Sequence, residues 1–203
     1  MDAKPTKAPV RTTKNEDARR RILDAFIQLL GEGADLSHDA VADLSGVSRR
    51  TVYRYYPDRL ALMEGALQRV RQLAGPRVAY PNSPDELVET LEPIYTGFDS
   101  IAPIITILRT TPQGRQLRLA QNDRRVSSYT KAMRHVVKDL PARDRKLATA
   151  MLQVLHTTPW MEMRDHWGLS GHEIARATGW AVRTLLNDLR KRGRRPLDQD
   201  VPA

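Results

Sequence analysis

Three arginines and a tyrosine, Arg49, Arg50, Tyr53 and Arg54, stand within six residues of one another. Residues three and four apart share a helix face, so a helical segment presents all four as one stripe. Arginine reads guanine by two parallel hydrogen bonds to O6 and N7. A tyrosine hydroxyl can hold a phosphate. The chemistry is that of a nucleic-acid contact. A solvated surface helix would carry the same arginines, so the flanking residues must separate the two readings.

They do so by their spacing. Ser37 and Ser48 each precede a short helical stretch and can cap it, the hydroxyl accepting a free N–H of the first turn. Val41 and Leu44 give the first stretch a buried face. Ala42 is small where two helices cross, Gly46 permits a left-handed turn, and Val52 and Tyr56 point back into the angle. This is a helix-turn-helix, whose second helix lies in the major groove. The expected DNA-contacting set is Ser37, His38, Ser48, Arg49, Arg50, Thr51, Tyr53 and Arg54. Arg59 joins it. Pro57 stops the chain and Asp58 caps the next helix, whose free N–H groups and dipole favour a phosphate.

The run from Arg20 to Leu67, RRILDAFIQLLGEGADLSHDAVADLSGVSRRTVYRYYPDRLALMEGAL, resembles the DNA-binding domain of the TetR family of transcriptional regulators. A first helix ending in Gly, the GVS…TVYRYY stretch and the Asp58-Arg59 opening carry the likeness, over roughly the first third of the chain. The resemblance implies phosphate contacts from Tyr53 and Arg59. It implies a groove-facing role for Arg49, Arg50, Thr51 and Arg54. It further implies a C-terminal effector pocket and a four-helix dimer interface from the last two helices. Asp39 departs from the pattern, since some members carry a basic or polar base-reading residue there. It could accept from cytosine N4, but it reads first as an acid favoured by the helix dipole.

The elements that must position these residues are helical throughout. Asn15 can cap a first helix that carries two apolar lines, Ile22-Phe26-Leu29 and Leu23-Ile27-Leu30, and Gly31 and Gly33 end it. Leu60, Met63, Leu67 and Val70 mark an apolar face after the recognition helix. Residues 75–84 hold three prolines and a glycine and read as a linker. Ser83-Pro84-Asp85-Glu86 is a strong helix start. Pro93 should kink or end that helix. Further helices follow over 101–109, 113–140, 142–163 and 170–192. The expected fold is all-α. A three-helix DNA-binding domain occupies 15–75 and a helical dimerisation and ligand domain 76–192. A disordered basic arm (1–14) and a flexible basic tail (193–203) flank them.

Composition agrees. The net charge of +9 points to an anionic partner, although much of the excess lies in the two chain ends. With no cysteine there is no disulfide framework, which fits a reducing cytoplasm. No apolar run is long enough to span a membrane, and the N-terminus lacks the core of a signal peptide. No Gly-rich phosphate loop or nucleophile elbow appears. The set His156, Asp165, His166, His172 and Glu173 has no zinc-helix spacing, so no metal, cofactor or catalytic residue is expected.

Two constellations remain. Tyr95, Phe98, Arg109, Tyr129, Met151, His156, Trp160 and Met163 are candidate pocket residues for an apolar small molecule, or simply core. On the last helix, Ile174, Thr178, Ala181, Leu185 and Leu189 form an apolar stripe suited to a homodimer, with Trp180 and Val182 on another face. The expected function is a cytoplasmic repressor on a palindromic operator, released by an effector. A ligand-blind regulator and an enzyme with an appended helix-turn-helix are the alternatives.

Overall fold

The structure, a computed structural model, describes residues 10–75 and 80–199, with side chains from residue 14. These residues form twelve helices and no strand. In order they are α1 (Val10–Glu32), α2 (His38–Ser45), α3 (Arg49–Tyr55), α4 (Arg59–Ala74), α5 (Pro84–Glu89), α6 (Leu91–Ser100), α7 (Ala102–Thr110), α8 (Pro112–Leu119), α9 (Asn122–Val137), α10 (Ala142–Thr157), α11 (Pro159–Trp167) and α12 (Gly171–Arg192). No helix among the described residues is long and apolar enough to cross a membrane.

The chain divides into two compact units: Met1–Val70 with Ile107–Ala120, and Arg71–Thr106 with Gln121–Ala203. A single boundary at the Pro/Gly segment was expected. The division falls inside α4 instead, because that helix runs on unbroken past Val70. The second domain is also not continuous, since α8 belongs to the first unit. Gly114 lets α8 fold back on α7: a Cβ there would sit 2.5 Å from Leu108 Cα and 2.6 Å from Ile107 O.

In the first unit both apolar lines of α1 are buried, from Ile22 through Leu30. The helix already includes Val10 and does not wait for Asn15, so residues 10–14 are not a disordered arm. Asn15 Oδ1 instead accepts from Tyr55 OH at 2.8 Å. The rest of the expected arm, 1–9, lies outside the described residues. Asp58 caps α4 through Ala61 N at 2.8 Å. The inward line of α4 is Leu62, Ala66 and Val70 with Leu67, while Leu60 is exposed and Met63 only half-buried. Leu60 lies in the first turn, and four-residue steps from Leu62 reach Ala66 and Val70. Likewise α2 buries His38, Val41, Ala42 and Ser45, and Leu44 falls off that line into solvent.

In the second unit α12 packs along α6, and α10 touches α9, α11, α12 and α6. The helix that starts at Ser83 ends at Glu89, ahead of the break expected at Pro93, so Pro93 sits in the first turn of α6, where its missing N–H is no loss. Pro159 divides the expected 142–163 helix in the same way. Ser170 and Glu173 close a reciprocal capping box at the start of α12. The stretch beyond α12 is not loose as far as residue 199. Arg192 Nη1 donates to Pro196 O (2.7 Å), and Leu197 N donates to Asp144 Oδ2 (3.0 Å). Residues 200–203 lie outside the described residues.

One close approach in this unit yields a stability prediction. A Cβ at Gly97 of α6 would stand 1.9 Å from Ala74 O, so the backbones must separate to admit any side chain. Gly97→Ala is expected to lower stability by roughly 1–3 kcal/mol, the range for overpacked cores. Urea unfolding checks it, and a wild-type midpoint would disprove the contact.

Candidate nucleic-acid interface

The turn between α2 and α3 is held from three sides. Ser37 Oγ accepts from Ala40 N (3.2 Å) and Ser48 Oγ from Thr51 N (3.3 Å), which sets both helix starts. Gly46 adopts φ 63°, and a Cβ there would meet Arg21 Nη2 at 2.8 Å. Arg21 uses that space to donate to Ser45 O at 2.5 Å. Val52 is fully buried and fixes the angle. Tyr56 is half-buried, and that burial raises its hydroxyl pKa.

Against this support, Arg49, Arg50, Tyr53 and Arg54 all lie exposed on α3. Their environments differ. Arg49 Nη1 lies 3.3 Å from Asp39 Oδ2 and Nη2 lies 4.0 Å from Asp43 Oδ2, so two acids of α2 share it. That gives Asp39 a partner that the sequence reading missed. Arg54 stands 4.9 Å over the ring of Tyr55, whose hydroxyl is fixed by Asn15. Ser48 Oγ donates to Thr51 Oγ1 (2.9 Å), so both hydroxyls serve the cap first. Arg59 is exposed at the start of α4.

His38 is corrected. It was expected among the DNA contacts, but it is 8% exposed. The N-terminal turn of α2 points it at α3 rather than outward. Its Nε2 donates to Tyr56 O at 2.8 Å, and its ring stacks on Tyr53 at 4.4 Å with 9° between planes. His38 thus supports Tyr53 and the end of α3 and uses its Nε2 within the fold.

Most of the candidate pocket residues of the second unit are part of its core. Tyr95, Trp160 and His156 are buried, with Phe98 and Tyr129 beside them. Phe98 meets Trp160 edge-on at 5.8 Å and Tyr95 at 6.3 Å. The polar tips of Tyr95, Tyr129, His156 and Trp160 are all bonded. Trp160 Nε1 donates to Asp99 Oδ1 (2.8 Å), and Gly171 N donates to the other oxygen (2.6 Å). Tyr95 OH donates to Leu155 O (2.6 Å). His156 bonds Thr90 Oγ1 through Nε2 (2.8 Å) and the Tyr129 hydroxyl through Nδ1. Met163 is half-buried and Met151 is 53% exposed. Arg109 belongs to the first unit. Of the expected set, Tyr95, Phe98, Tyr129, His156 and Trp160 come together in the core, whereas Met151 stands in solvent. A cleft of about 510 Å³ lies elsewhere, between α9 and α10, with Tyr129 the one member of the expected set in its lining.

The expected dimer stripe is corrected in part. Ile174, Thr178 and Leu189 are buried within their own unit, as is Val182, where α12 packs along α6. Ala181 and Leu185 are half-buried. Among the exposed apolar residues of this unit are Leu147, Met151 and Val154 on α10, Trp167 at the end of α11 and Trp180 on α12. The first three recur at i, i+4 and i+7, which makes one helix face.

Comparison with known proteins gives the fold. No protein-family model matches the chain. Over 69 residues it is 33% identical to the HTH-type transcriptional repressor LfrR of Mycolicibacterium smegmatis; the match covers 34% of this chain and 36% of LfrR, about a third of that relative's length. The solved structure of NalD, the secondary repressor of the MexAB-OprM multidrug efflux pump in Pseudomonas aeruginosa, aligns with a TM-score of 0.61 at 19% identity, over 84% of this chain and 96% of NalD. A TetR-family regulator from Streptomyces coelicolor, SCO0857, aligns with a TM-score of 0.55 at 18% identity, over 91% of this chain and all (100%) of that one.

The buried His156 makes stability depend on pH. Burial lowers its pKa from 6.5 to about 4. Between those values the unfolded chain binds the proton and the folded chain does not, so stability rises with pH there. The full contribution is present above pH 6.5 and is lost as pH falls toward 4, amounting to about 3 kcal/mol. His156→Gln should flatten this part of the profile in urea melts from pH 7 to 4. Parallel profiles for the two proteins would refute the assignment.

Proposed function

We propose that this chain, which has the fold of the TetR-family regulators, is a sequence-specific DNA-binding regulator of transcription, a repressor released from its operator by a ligand. The observation that carries the reading is the stripe of Arg50, Tyr53 and Arg54 exposed over the buried Val52. The LfrR match supports it, because that protein is a helix-turn-helix repressor. Arg50 lies in the first turn of α3, the part of a recognition helix that reaches base edges. Arg59, Tyr53 and the start of α4 suit phosphates. Asp58 already takes Ala61 N, so the phosphate seat relies chiefly on the Arg59 side chain.

The protein works as a homodimer on a palindromic site. A dimer must set its two recognition helices about 34 Å apart to enter successive major grooves. The face for self-association is Leu147, Met151 and Val154 with Trp180, since exposed apolar residues at helical spacing need a cover. A ligand that prefers another spacing weakens DNA binding by its differential affinity for the two states.

Affinity against operator and single-base variants at several salt concentrations tests the DNA reading. Arg50→Ala should cost about 1–3 kcal/mol on the operator and relax preference at one base pair per half-site. Arg59→Ala should weaken all sequences alike and flatten the salt slope by about one per site. Equal loss on every sequence for Arg50→Ala would move base reading to Arg49 or Arg54.

Sedimentation tests the dimer. Met151→Glu with Trp180→Glu sets like charges across a two-fold contact, because symmetry doubles each change. The expected product is a folded monomer that no longer binds the operator. A dimer of wild-type strength would place the interface on another surface.

A further inference from the structure

The cleft between α9 and α10 has chemistry that the DNA-binding reading does not use. Its α9 side is a single helical stripe from Val126 to Lys138, and its α10 side runs from Ala142 to Gln153. Only residues 138–141 join the two helices, so they lie antiparallel and the cleft has two distinct ends. At the end nearest the connecting turn stand four cations, Arg134 from α9, Lys138 just after it, and Arg145 and Lys146 from α10. At the far end the lining includes Val126, the Tyr129 ring and Ala150. No acidic residue lines the cleft. The nearest acids in sequence are Asp139, in the turn, and Asp144, which is engaged with Leu197 N.

The volume, about 510 Å³, lies within the range of small-molecule sites. The lining positions of α10 (142, 145, 146, 149, 150 and 153) fall on a different face from Leu147, Met151 and Val154. Self-association through that second face would leave the cleft open. The floor is also rigid. Tyr129 is 2% exposed, and its hydroxyl is tied to His156, which is tied in turn to Thr90 at the joint of α5 and α6.

We propose that this cleft binds an anionic amphiphile, a linear apolar chain ending in a carboxylate, sulfate or phosphate. The head group sits among Arg134, Lys138, Arg145 and Lys146, and the chain lies along Val126, Tyr129 and Ala150. Opposite charge fixes the direction of entry, and apolar contact supplies most of the affinity. The link from binding to DNA release rests on the regulator reading above. The binding itself does not.

The test uses the full chain and octanoate, decanoate and dodecanoate, each below its aggregation concentration. Calorimetry should show one site per protomer, tightening roughly threefold for each buried methylene. Dodecanol should bind at least about tenfold more weakly than dodecanoate, because it lacks a charge-assisted bond. Dodecyltrimethylammonium should bind more weakly still. Arg145→Gln with Lys146→Gln should remove most of the preference for dodecanoate over dodecanol. Ala150→Trp should block both. All three substituted positions are exposed, and thermal melts by circular dichroism confirm that the variants fold. Equal binding of dodecanol and dodecanoate, no saturable binding, or undiminished selectivity in the arginine–lysine variant overturns the proposal. In parallel, dodecanoate is titrated against the protein on the DNA it protects. Selective binding with no release upholds the cleft as a site and counts against ligand-relieved repression. Release that survives in Ala150→Trp shows that the amphiphile acts elsewhere and overturns the cleft.

Discussion

Gly46 holds the turn between α2 and α3 to one geometry. Its φ of 63° is the left-handed turn, and the space a side chain would fill is taken by Arg21 on its way to Ser45 O. A residue with a Cβ would strain the backbone and displace the brace together. The consequences run outward. With the turn fixed, Val52 seats under α3 and His38 comes beneath Tyr53. The outer stripe of α3 then has no freedom to roll. A groove-reading helix needs that rigidity, since a small rotation would move every arginine fork off its base edge.

The second unit obeys a different constraint. Its large aromatics bring polar atoms into the core, and a buried polar atom without a partner costs more than its bond would contribute. Asp99 resolves two at once, Trp160 Nε1 and Gly171 N. It thereby ties α6, α11 and the start of α12 together. His156 does the same for α5, α9 and α10 by staying neutral. A cleft of useful size lies where helix flanks diverge, and α9 and α10 supply one.

The helix-turn-helix and the helix starts that carry a side-chain cap were legible because they rest on local chemistry. Ser37, Ser48, Asp58, Ser83 and Ser170 each cap the helix they precede, and a cap depends only on its own first turn. Which face of a helix is turned inward was less legible. Leu44 and Leu60 are as apolar as their buried neighbours, and only packing against other helices decides between them. The stripe on α12 went wrong in part for a related reason. Ile174, Thr178 and Leu189 are apolar at helical spacing, but the spacing does not say whether the helix's own unit or a second copy covers them. The return of α8 to the first unit left no mark that a sequence could show, beyond Gly114.

The arginines of α3 look equivalent in sequence and are not equivalent in the fold. Arg49 is shared by Asp39 and Asp43, and Arg54 leans on a Tyr55 ring that Asn15 holds from α1. Exposed ion pairs contribute at most about 1 kcal/mol, so Arg49 is biased rather than locked. Under the regulator reading this matters for selectivity. The sequence-independent part of DNA affinity grows with the phosphates neutralised, and two acids beside the recognition helix subtract from it. They subtract little from a bidentate contact made by Arg50, which stands apart from them in the first turn. The acids of α2 would thus lower the affinity for DNA in general more than the affinity for the site, and the ratio of the two is what a regulator needs.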